Sequence, residues 1–358
     1  MKPELEKLCA DYIANRDAVQ KAFRWDSGDL YSVCANLFCA AGQAADPDRL
    51  KECRKIIRSR TGLFSKFRGK KVRAILAAML ALGEKPEDRM DLANDYYRLL
   101  KRKFKGTDYL VLTAFLLTDL ADRTLTEETA ARGKELYRRM NKKHRLLTDK
   151  TDSVFAMLMA FSGKTDDELL EETETCYRAL KARFSGSGAQ TSAQVLSVAE
   201  GAPEDKARRA ADLYDALTEA GVKYGQANQL APLSALSLSD TPVPVLAEEI
   251  REAAEFLKEQ KGYEGKKDED EKKRAMHAVM IVSDQYAGTS QVNITVMTNT
   301  LDMLFARQQA SRLSFALHVV EALAQFAGSK KETKETETET GAQPDAGKEQ
   351  AESSARDQ

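Results

Sequence analysis

From Val72 to Lys103 the chain reads VRAILAAMLALGEKPEDRMDLANDYYRLLKRK, and this stretch decides the fold. Val72 to Leu82 is apolar nearly all round, which suits a helix buried between neighbours. Gly83 suits a helix end and Pro86-Glu87-Asp88 suits the start of another, so a short turn separates two helices. In the second helix Leu92, Ala93, Tyr96, Tyr97, Leu99 and Leu100 form one stripe, while Asp91, Asp95, Arg98, Lys101 and Arg102 line the rest. Such a helix covers an inner layer and faces water.

The pattern recurs along the chain. Its mid-helix anchors are Ile57, Tyr97, Tyr137, Tyr177, Tyr214 and Phe256, with steps of 40, 40, 40, 37 and 42 residues. The residues closing each apolar helix give a second series, Gly42, Gly83, Ala121, Gly163, Gly201 and Ser239, stepping 41, 38, 42, 38 and 38. Two series advancing together at about forty residues predict an all-α fold, an α-solenoid of six to seven antiparallel helix pairs. In such a stack Pro3 to Phe23 is the N-terminal capping helix, residues 1–25, the repeats fill 26–310, and a C-terminal cap covers 311–328. At helix spacings of about 8 to 10 Å the open stack would run roughly 60 to 70 Å. Residues 1–328 then form one domain. Residues 329–358 hold no aromatic or branched aliphatic side chain and read as a disordered tail. Gly262 to Lys273 reads as a charged loop.

Lys and Arg number 55 against 56 Asp and Glu, a net charge of -1, so no global field draws the protein to nucleic acid or a membrane. The longest apolar run, Ala74 to Leu82, is half the roughly 20 residues that cross a bilayer, and no membrane partner is expected. The N-terminus carries charges of both signs and no apolar leader, so the protein is expected in the cytoplasm. Cys9, Cys34, Cys39, Cys53 and Cys176 contain no C-x-x-C and read as reduced core thiols.

Catalytic patterns are absent from this reading. His144, His277 and His318 make neither H-E-x-x-H nor E-x-x-H, so no metal site is expected. Gly163-Lys164-Thr165 lacks the rest of a phosphate-binding loop and reads as a helix-to-helix turn, and Ser185-Gly186-Ser187-Gly188 reads as an inter-repeat loop. No catalytic residue and no cofactor is expected, which leans away from an enzyme.

Two features stand out. The segment from Thr61 to Lys71 is longer and more aromatic than the other loops, and exposed Phe64 and Phe67 beside Arg68 would make a docking spot. The competing reading tucks both rings into the stack and lets Arg68 cover them. The second feature is charge: Arg49 to Arg73 holds eleven basic residues, Arg54, Arg58, Lys70 and Lys71 among them, against Glu52 alone. Similar clusters follow at Arg98–Lys105, Arg138–Arg145 and Arg178–Arg183, which at the repeat period would form a stripe able to track phosphates. Helix-dipole complementation explains the same clusters, because acids sit at the opposite helix ends.

TGLFSKFRG (61–69), YYRLLK (96–101), CYRALK (176–181) and GVKYG (221–225) resemble a bacterial family catalogued as domain of unknown function 4003, over roughly Trp25 to Phe326. The resemblance implies a cytosolic all-helical protein without an assigned activity and carries over no site residues. The leading expectation is a scaffold with a protein partner. The alternative is a nucleic-acid-binding solenoid, and candidate contacts are Phe64, Phe67, Arg68, Lys70, Lys71, Arg54 and Arg58.

Overall fold

The structure is a computed structural model that describes residues 1–286 apart from 25–27, 71, 120–123, 146, 149–151 and 228. Lys71 and the expected C-terminal cap and tail therefore lie outside the described residues. Among these residues the chain is all-helical, with no strand. Its fourteen helices are α1 (Pro3–Ala22), α2 (Gly28–Ala40), α3 (Pro47–Ser59), α4 (Arg73–Leu82), α5 (Pro86–Lys101), α6 (Asp108–Leu116) and α7 (Glu127–Lys143), followed by α8 (Asp152–Met159), α9 (Asp166–Lys181), α10 (Gly186–Ser197), α11 (Pro203–Glu219), α12 (Leu230–Leu236), α13 (Val243–Lys258) and α14 (Asp268–Gln285).

Even-numbered helices carry the buried layer. Ala74 to Leu80 of α4 and Leu110 to Leu116 of α6 are buried without a break, as apolar sequences all round require. Odd-numbered helices bury one stripe. In α5 this is Pro86, Met90, Ala93, Tyr96 and Leu100, and the opposite face is solvated. Starts follow the sequence logic: Asp46 caps α3 ahead of Pro47, and Thr165 with Glu168 closes a capping box on α9.

Three expectations change in detail. Most amphipathic helices pack most extensively on the apolar helix that follows them, α5 on α6 and α9 on α10, rather than on the one they follow. Helix α1, expected to cap an open end, packs against α2, α3, α13 and α14, so the first and last described helices touch. Lys2 Nζ lies 2.7 Å from Glu249 Oε1 on α13, and the hydroxyls of Tyr12 and Tyr263 are 3.2 Å apart. The two ends of the described chain are therefore in contact rather than a stack's length apart. The loop expected at Gly262–Lys273 stops at Lys267, because Asp268, Glu269, Asp270 and Glu271 favour a helix N-terminus and start α14.

Ser185-Gly186-Ser187-Gly188 likewise starts a helix rather than forming a loop. Ser185 accepts from the Gly188 amide, and a Cβ at Gly188 would lie 2.4 Å from the Gln226 carbonyl oxygen, so only glycine permits this approach. Gly163-Lys164-Thr165 is the helix-to-helix turn expected, with the Lys164 amine on the carbonyls of Ser197 and Ala199 at 3.0 and 2.8 Å.

Candidate docking loop

The chain leaves α3 at Arg60 and crosses to α4 through Thr61–Val72. Ser65 caps a single 3-10 turn, Lys66–Arg68, by accepting from the Phe67 amide. Phe67 is buried, its ring edge-on to Tyr97 with centroids 5.4 Å apart. Arg68 fixes the loop from below: Nε donates to Thr61 Oγ1 at 3.2 Å, and Nη2 donates to the carbonyls of Arg58 and Thr61. The Arg58 carbonyl lies in the last turn of α3 and that of Thr61 just beyond it, where a guanidinium meets both the free acceptors and the helix dipole. Phe67 and Arg68, expected as contacts for a partner, are therefore committed to the fold.

Phe67 belongs to a series. Phe104 lies against Tyr137, His144 against Tyr177 and Phe184 against Tyr214, with centroids 6.1, 4.5 and 5.1 Å apart. Each ring follows one amphipathic helix and meets the anchor of the next. The chain marks three of these sites with the same triplet shape, Phe67-Arg68-Gly69, Phe104-Lys105-Gly106 and Phe184-Ser185-Gly186. That third periodic series was legible beside the anchors and was passed over in the sequence reading.

The residues that remain are Leu63 and Phe64. Leu63 is 79% exposed and Phe64 fully exposed, at the tip of the loop braced by Phe67 and Arg68. On either side of them in the chain Lys55, Arg58, Lys66 and Lys70 are exposed and form no ion pair with the described residues. Arg54 is drawn aside, its guanidinium 5.7 Å from the centre of the Phe23 ring.

The other cationic helix ends differ. Arg102 at the end of α5 meets Glu127 of α7 at 2.6 Å, Arg139 meets Asp167 at 2.5 Å, Lys143 meets Glu174 at 3.3 Å, and Arg183 pairs with Asp215. Arg60 meets Asp91 at 2.7 Å. Acids of the next amphipathic helix thus answer these bases, near its start at Glu127, Asp167 and Asp91 and further along it at Glu174 and Asp215, and the expected stripe is interrupted at these points.

A further set of basic residues escaped the sequence reading. Arg132 donates to the carbonyls of Ala160, Ser162 and Lys164, and Arg209 to those of Ser237, Ser239 and Thr241, capping the ends of α8 and α12. Their signal was a base in the first half of an amphipathic helix, where the dipole alone favours an acid.

Chemistry elsewhere is sparse. Burial pushes the Cys53 and Cys176 thiols up to about 11, which keeps them protonated at neutral pH. Burial also holds His277 well below its ordinary value; its Nδ1 meets the Tyr263 hydroxyl at 2.5 Å. No group of three or more His, Cys, Asp or Glu positioned for a metal occurs among the described residues, and none of their helices is long and apolar enough to cross a membrane.

The sequence profile of the family described as "Protein of unknown function (DUF4003)" matches residues 15–310. The chain belongs to that family. No curated protein and no solved structure matches it.

Proposed function

We propose that this member of the DUF4003 family is an interaction scaffold, a closed stack of helix pairs that holds one docking loop rigid and presents it to a partner in the cytoplasm. The observation that supports this is Phe64, fully exposed on a loop whose underside is anchored by Phe67 and Arg68. A large exposed side chain on a pre-ordered loop contributes to binding without the entropy cost of ordering a flexible segment. The nucleic-acid alternative draws its strength from the basic clusters, and the acids paired with most of them weaken it.

The reading is tested by placing a photoreactive phenylalanine analogue at position 64 of the full chain in cells, with position 208, an exposed arginine on α11, as the control. An adduct at 64, to a protein or to lipid, and none at 208 is expected. Equal labelling at both positions, or none at either, overturns it.

A further inference from the structure

We propose that the Leu63–Phe64 tip docks the protein on an anionic lipid surface, with the two side chains at headgroup depth and Lys55, Arg58, Lys66 and Lys70 against the phosphates. This rests on the docking-loop reading and names its partner.

Shape is the first argument. The tip presents two apolar side chains, Leu63 and Phe64, both exposed. Stable protein interfaces bury about 1,200 to 2,000 Å² in total, several times what two side chains provide, and need a complementary socket. A bilayer interface needs no socket and accepts apolar side chains to a depth of about 5 to 10 Å.

Charge is the second. Stable membrane attachment takes two signals together, such as an apolar insertion and a basic patch. Here both occur within one short segment, and they coincide nowhere in the paired clusters of α5, α7 and α9. Cations already satisfied by carboxylates, such as Arg102 by Glu127 and Arg139 by Asp167, offer lipid phosphates little; Lys55, Arg58, Lys66 and Lys70 pair with no carboxylate among the described residues. The net charge of -1 in the chain neither adds attraction nor opposes it.

Rigidity is the third. Arg68 and Phe67 fix the loop before contact, so insertion costs little further ordering. The expectation of no membrane partner rests on spanning segments and on the summed charge of the chain. Neither quantity sees a local tip.

The test is co-sedimentation of the full-length protein with phosphatidylglycerol-containing vesicles and with pure phosphatidylcholine vesicles. Binding to the anionic vesicles alone, weakened by salt, is expected. Phe64→Ser should weaken it on the order of tenfold while melting stays unchanged. Lys66→Ala with Lys70→Ala should cost about twenty-five-fold, at about fivefold for each charge lost. Equal binding to both vesicle types, or binding indifferent to Phe64→Ser, overturns the proposal. So does tighter binding to a mixed-sequence oligonucleotide. If vesicles are not bound but position 64 still gives a discrete adduct to protein in cells, the lipid inference fails and the docking loop stands. If both experiments are negative, both fail.

Discussion

The end of α3 and the ends of α5 and α9 begin from the same sequence instructions and finish differently. All three close with basic residues and lead into a Phe-x-Gly triplet whose ring packs on the next tyrosine anchor. After α5 and α9 the triplet follows almost at once, and Arg102 and Arg183 are taken up by Glu127 and Asp215 of the next amphipathic helices. After α3 the triplet is delayed by Thr61–Lys66, and this extra segment carries Leu63 and Phe64 outward. A repeat thus shows where structure ends and something else begins: what the other copies also have is packing, and the surplus is where function is to be sought.

The largest expected effect separates the two phenylalanines. Phe67→Ala should cost about 3 to 5 kcal/mol in denaturant unfolding, the range for emptying a buried aromatic site. Phe64→Ala, at an exposed position, should stay within about 0.5 kcal/mol of wild type. A large loss from Phe64→Ala would mean that the tip is packed, and the contrast between structural and surplus residues would collapse.

Next come the arginines on helix-end carbonyls. Arg132→Ala leaves the carbonyls of Ala160, Ser162 and Lys164 without their donor and should cost about 1 to 3 kcal/mol by the same measurement. Arg98→Ala, whose side chain is 76% exposed beside Asp95, should cost almost nothing.

Acid sharpens the comparison of charge. Burial works to raise the Glu174 carboxyl, but His144 and Lys143 outweigh it and hold it below its ordinary value. A carboxyl depressed in the folded state contributes stability that is present above its unfolded pKa of about 4.3 and lost as pH falls through the folded value. Glu174→Gln should therefore flatten the fall in unfolding free energy below about pH 4.5. The tip, with no carboxylate partner, should hold vesicles through the same range until the lipid phosphates protonate. Vesicle release in step with the loss of Glu174 would break the distinction. The smallest effect is a double-mutant cycle on Arg102 and Glu127, which should give a coupling of about 0.2 to 1 kcal/mol that shrinks in salt.

The helices were legible because periodicity of about forty residues and the Gly and Pro punctuation act locally. Tyr97, Tyr137 and Tyr177 stood out as anchors for that reason and lie half-buried against the core. Two things were hidden. Closure of α1 onto α13 and α14 depends on angles between repeats, and no residue pattern states an angle. The basic clusters were visible one by one, but that Arg60 meets Asp91 while the Arg58 side chain meets no acid among the described residues is settled by how the helices pack. Phe64 and Phe67 are three residues apart with the same side chain, so composition could not separate them. The triplet shape could have done so, since Phe67, Phe104 and Phe184 are each followed two residues on by a glycine, whereas Phe64 is followed by Lys66.

The most direct measurement is one experiment on two variants, unfolding and anionic-vesicle binding recorded side by side for Phe64→Ala and Phe67→Leu. The account predicts a crossed result: Phe64→Ala melts like wild type and loses vesicles, while Phe67→Leu loses stability and, where still folded, keeps binding. Parallel loss of both properties in both variants would contradict it, because the loop would then be a single packed element with no part set aside for docking.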